Sequence, residues 1–82
     1  MNDEIEYVKR SKNRLKVMKS LDGDVKIPSE IAKDAQIHNN HISNILRQLR
    51  QRELVECINP EAKKGRLYRL TDSGEKVVQN LE

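Results

Sequence analysis

"IHNNHISNILRQLRQR" (residues 37–52) decides how the rest of the chain is read. Ile42, Ile45, Leu46 and Leu49 recur at i, i+3, i+4 and i+7, the apolar stripe of an amphipathic helix, which predicts a helix over about residues 39–52. That stripe fixes the opposite face, which carries Asn40, His41, Ser43, Asn44, Arg47 and Arg50 or Gln51. A helix built only for solubility puts Asp or Glu in its first turn, where the backbone dipole favours negative charge. This one opens His38-Asn39-Asn40-His41 and meets no acid until Glu53. Neutral side chains that both donate and accept hydrogen bonds lead it, and arginines follow.

Upstream, Ile31, Ala32 and Ala35 give a short helix from Ser29 to Ala35, started at Pro28, since proline is tolerated in a first helical turn. "QIHNN" separates it from the longer helix. Val25–Ile27 is a short extended piece, preceded by the turn "LDGDV". Residues 3–21 carry Ile5, Val8, Leu15, Met18 and Leu21 on one helical face, with Val17 widening it. Ser11 suits a fresh helix start, so this region is read as two helices, with one continuous helix as the alternative.

Downstream of Arg52 the apolar period falls from 3.6 to about 2. "LVECI" (54–58) and "RLYRLT" (66–71) are strands, and "NPEAKKG" (59–65) is the loop between them. Tyr68 and Leu70 share one face of the second strand, Leu67 and Arg69 the other. Thr71 or Asp72 caps a last helix, with Asp72-x-x-Glu75 at capping-box spacing and Val77, Val78 and Leu81 on its buried side. The fold class is mainly α with a small β-hairpin (α+β), in the order helix, strand, helix, helix, strand, loop, strand, helix.

With 82 residues the chain makes one small domain, 1–82, and without Trp or Phe its core is aliphatic. The net charge is only +3, so it matters only where positive charge is gathered. Arg47, Arg50 and Arg52 stand among no acids, and Lys63, Lys64, Arg66 and Arg69 face Glu61 alone. A third basic run over 9–19 is read as solvated surface. Cys57, the single cysteine, forms no internal disulfide and is read as a small core residue. No apolar run reaches membrane-spanning length and no signal-peptide pattern opens the chain, so a cytoplasmic protein is expected.

"PSEIAKDAQIHNNHISNILRQLRQRELVE" (28–56) resembles the core of winged helix-turn-helix transcription regulators of the MarR and ArsR type. "SKNRLKVMKSL" (11–21) resembles the ArsR-type helix before it, and "GRLYRLTDSG" (65–74) the wing strand leading into a final helix. The resemblance covers about residues 11–78. It implies a recognition helix at about 39–52 and a wing at about 59–66. The chain departs from the pattern at Glu53, where the family places glycine, and at Ile27, where a Ser or Thr cap often precedes the proline. The paired cysteines of ArsR metal sensors and the larger MarR dimerisation helices are absent.

What the resemblance implies is double-stranded DNA as partner. The major groove admits a helix and shows each base pair as a distinct donor and acceptor pattern. Candidate base readers are therefore Asn39, Asn40, His41, Ser43, Asn44 and Arg47, neutral or cationic groups that phosphates do not repel. Candidate backbone contacts are Ser29, Lys33, Arg50, Arg52, Lys63, Lys64 and Arg66. A homodimer on a palindromic operator is expected, joined through the first and last helices, with Ile5, Tyr7 and Val8 as exposed apolar residues. Other readings compete. Asn39 or His38 serves as a helix cap, His38, His41 and Cys57 bind zinc, or the domain is a protein-interaction winged helix without DNA binding of its own. A single-stranded partner lacks a stacking platform, and an enzyme lacks any nucleophile or phosphate-loop motif. No metal or cofactor is expected.

Overall fold

A computed structural model describes residues 2–81. The elements are α1 (Asn2–Lys9), α2 (Lys12–Ser20), α3 (Pro28–Ala35), α4 (Asn39–Gln51), β1 (Val55–Cys57), β2 (Tyr68–Leu70) and α5 (Asp72–Gln79). The expected order holds from α3 onward; before it stand two helices, and the extended piece Val25–Ile27 makes only an isolated bridge from Lys26 to Tyr68 rather than a strand. Residues 1 and 82 of the expected domain lie outside the described residues. Ile31, Ile42, Leu46, Leu49, Leu54 and Val77 meet in one aliphatic core with residues from α1, α2 and both strands.

The first amphipathic stretch does break at Ser11. Its backbone is extended and its Oγ accepts from the Arg14 N–H at 3.2 Å, starting a new helix. The break turns α1 onto the body, and this corrects one expectation. Val8 is fully buried, and Ile5 and Tyr7 pack half-buried against the core, so these three are not an exposed apolar surface.

Pro28 starts α3 as the first helical residue. Ile27, at the cap, has no polar atom to offer, and Glu30 Oε1 accepts from its N–H at 3.1 Å, half of a capping box. Gln36 closes α3 in the left-handed region at φ 57°, which produces the tight turn into α4. Lys26 exchanges two backbone hydrogen bonds with Tyr68, at 3.0 and 2.8 Å. Its ammonium bonds the Ser20 carbonyl at 2.5 Å and Asp34 at 2.6 Å, tying α2 and α3 to the sheet.

The hairpin pairs Val55 with Leu70 and Cys57 with Tyr68, antiparallel. Both strands are shorter than predicted. The ladder continues to one bond, Ile58 N–H to the Leu67 carbonyl at 2.9 Å. Asn59 Oδ1 then takes the Leu67 N–H at 2.6 Å in place of a backbone acceptor. Glu53 does occupy the left-handed region, at φ 59°, despite its side chain.

Thr71 holds the junction beyond. Its hydroxyl donates to the Glu53 carbonyl at 2.6 Å and accepts from the Gly74 N–H at 3.0 Å. Thr71 is thus the cap and Asp72 the first helical residue; the third helical position falls on Gly74, which has no side chain, so the expected Asp72–Glu75 box does not form. Gly74 lies so close to Leu54 that a Cβ there would overlap the Leu54 carbonyl oxygen. α5 is thereby seated against the segment that leaves α4.

Candidate nucleic-acid interface

Ile42, Ile45, Leu46 and Leu49 are buried, so α4 turns its other face outward. Asn40, Ser43, Asn44 and Arg47 recur at i, i+3, i+4 and i+7 along the centre of that face, and all four are exposed. Asn39 and His41, also exposed, flank this line. His38 is the cap residue of α4, but its side chain makes no capping hydrogen bond. Its ring meets that of His41 edge-on, with centroids 6.5 Å apart. Asn44 and Arg47 are joined, Arg47 Nη2 donating to Asn44 Oδ1 at 2.6 Å.

The wing stands beside this face. Asn59 organises it from both ends, since its Nδ2 donates to the Gly65 carbonyl at 3.1 Å while its Oδ1 takes the Leu67 N–H. Gly65 supplies the positive φ of 68° that the loop needs there. Arg66 folds back, its Nε donating to the Ala62 carbonyl at 2.8 Å, which fixes the guanidinium on the loop. Between α4 and the wing runs a cleft of about 380 Å³ lined by Ser43, Arg47, Arg50, Lys63, Gly65 and Arg66, among others. Pro28 and Tyr68 complete its floor. Among the described residues, the ion pairs involve Lys26, Arg52 and Arg69, and none uses a cation of the cleft. Four unneutralised positive groups thus converge on one concave surface.

The structure sorts the other candidates. Ser29 is exposed and adjoins Pro28 along the chain, and Lys64 is exposed on the wing next to Lys63, but neither is among the residues that line the cleft. Lys33 instead lines a separate hollow with Gln36, His38 and Asn39. Arg52 is drawn elsewhere. Its Nη1 bonds Glu4 Oε1 at 3.1 Å, and its guanidinium stands 4.0 Å from the centroid of the Tyr7 ring. Arg14 stacks on the same ring at 3.8 Å. Arg52 is therefore not brought together with the cleft cations.

Cys57 lies half-buried in β1 and packs against the core, its Sγ 3.6 Å from Asn59 Oδ1. Sequence reasoning missed Asn59, Tyr7 and Glu4. For Asn59 a signal existed, because asparagine before a proline mimics backbone groups in turns. For Tyr7 and Glu4 none did, as their partner is 48 residues from Glu4 along the chain.

No protein-family model matches the chain, and no curated protein matches it in sequence. Solved structures do match. A MarR family transcriptional regulator from Silicibacter pomeroyi DSS-3 superposes with a TM-score of 0.76 at 24% identity, over 96% of this chain and 57% of that one. This is the MarR-type winged-helix fold. MepR of S. aureus, in a complex with DNA, shares it with a TM-score of 0.75 at 23% identity, over 95% of this chain and 66% of that one. A mutant of Lactococcus lactis ZitR gives 0.64 at 17% identity, over 83% of this chain and 46% of that one. At these identities the likeness is one of fold. The chain spans about six-tenths of the length of the first of these MarR-type structures.

Proposed function

We propose that this chain is a sequence-specific double-stranded DNA-binding regulator that works in the cytoplasm. α4 enters the major groove, and the wing grips the adjacent backbone or minor groove. The observation that carries this reading is the cleft between α4 and the wing, where Arg47, Arg50, Lys63 and Arg66 have no acidic partner among the described residues. A phosphodiester backbone supplies the matching charge. Asn40, Ser43 and the hydrogen-bonded pair of Asn44 and Arg47 face the base edges, with Asn39 and His41 at the flanks. Ser29, Lys33, Arg50, Lys63, Lys64 and Arg66 touch phosphates. Arg52, committed to Glu4 and Tyr7, does not. No helix among the described residues is long and apolar enough to cross a membrane.

One domain of this size presents too little surface for strong discrimination alone, so two copies act on a palindromic operator. Val78 and Leu81, partly exposed on and just after the last helix, are the apolar surface left for that contact. The complex of S. aureus MepR with DNA supports the reading by fold. Among the described residues the only exposed large apolar side chains are Val25 and Ile58, neither on the outward face of α4, which disfavours a protein-docking role for that face.

The test is binding to a random duplex pool across a salt series. Log affinity falls steeply with log salt, at about 0.9 per phosphate neutralised. A flat dependence, or no retention of duplex at low salt, overturns the proposal.

A further inference from the structure

We infer that Asn44 does not read a base by itself but positions Arg47, so that the two side chains address one guanine as a unit. This rests on the DNA-binding reading above and adds the base selected at the centre of the helix face. Both residues are exposed on α4, three apart, and the Arg47 Nη2 to Asn44 Oδ1 bond of 2.6 Å joins them before any partner arrives. By residue type alone they would be separate readers, since asparagine matches adenine and arginine matches guanine. An asparagine reads adenine by accepting from N6 through its oxygen while donating to N7 through its nitrogen. Here that oxygen already accepts a charge-assisted hydrogen bond, which is given up if the amide turns to adenine.

The same bond prepares Arg47 for guanine. A guanidinium has five N–H groups, and the contact to Asn44 uses one of the two on Nη2. The other Nη2 hydrogen and those on its neighbouring nitrogens still form a fork for guanine O6 and N7. An arginine loses much rotamer freedom when it docks, and a side chain already held loses less. Nothing acidic competes, because the ion pairs among the described residues lie elsewhere. Asn44 Nδ2 stays available as a donor to an acceptor on the neighbouring base pair. Asn44 is thus a positioning residue for the guanine contact.

Selection from a randomised duplex library, followed by affinity measurements on the recovered half-site with each base replaced, tests the inference. The chains compared are the unmodified protein, Asn44→Ala, Asn44→Asp, Arg47→Ala and the double alanine variant, each checked for an unchanged helical spectrum. The unmodified chain prefers one guanine per half-site by about 5- to 150-fold. Arg47→Ala abolishes that preference, Asn44→Ala removes most of it at the same guanine, and the double variant loses no more than Arg47→Ala alone. Asn44→Asp keeps an acceptor for Arg47, so it keeps the guanine preference while binding every duplex more weakly through repulsion from phosphates. An Asn44→Ala chain that retains the guanine preference overturns the pairing, and loss of an adenine preference elsewhere then identifies two separate readers. If the unmodified chain binds no duplex at low salt, the DNA-binding reading itself fails and takes this inference with it.

Discussion

Arg50 and Arg52 stand two residues apart at the same end of α4, and their surroundings differ entirely. Arg50 lines the cleft beside the wing, and among the described residues no carboxylate bonds it. Arg52 lies at the junction with α1, bonded to Glu4 and stacked on a tyrosine that also carries Arg14. One corner of the molecule satisfies its positive charge internally; the other leaves it for a partner. A run of arginines therefore has no single meaning. What decides is whether the fold brings an acid and a ring to each one.

The two regions should separate under mutation, binding on one side and stability on the other. The largest effect is expected from replacing Arg47, Arg50, Lys63 and Arg66 together by alanine. The slope of log affinity against log salt becomes shallower by about three to four, and affinity at moderate salt falls by roughly 100-fold or more. Denaturant unfolding of the same variant stays near that of the unmodified chain, since these are exposed side chains that form no ion pair among the described residues. An unchanged salt slope would erase the distinction drawn between the two corners.

Tyr7→Ala probes the opposite corner. It removes a half-buried ring and two cation–π contacts, each worth about 0.5–1 kcal/mol, so urea unfolding should show a loss of about 2 kcal/mol. The salt slope on duplex DNA should not change. A smaller and finer contrast comes from the two arginines. Arg52→Ala costs about 1 kcal/mol of stability, because its ion pair with Glu4 is part-exposed and screened, and leaves the salt slope alone. Arg50→Ala lowers the slope by about 0.9 and changes stability by no more than about 0.5 kcal/mol. Reversed outcomes for the pair would mean that Arg52, not Arg50, meets phosphate.

What was legible in the sequence follows the same line between local and distant causes. The Ile42–Leu49 stripe, the Ser11 break and Pro28 opening α3 were readable because each depends on residues within a turn of itself. The strand limits were not, because Asn59 replaces a backbone partner with its own amide. The burial of Val8 and the capture of Arg52 were not, because both depend on how α1 folds back after the break at Ser11. Residue types on the outward face of α4 were readable; the bond that couples Asn44 to Arg47 was visible only once side chains had positions.

The claim beneath all of this is that DNA meets the face shared by α4 and the wing. Titrating an isotope-labelled chain with a duplex and following its amide and side-chain NMR signals tests that claim directly. Signals of Asn40, Ser43, Asn44, Arg47, Arg50 and Lys63 to Arg66 should shift with added duplex, while those of Glu4, Tyr7, Arg14 and Arg52 hold still. Shifts confined to α1 and α5, with residues 40–50 and 63–66 unmoved, would contradict it.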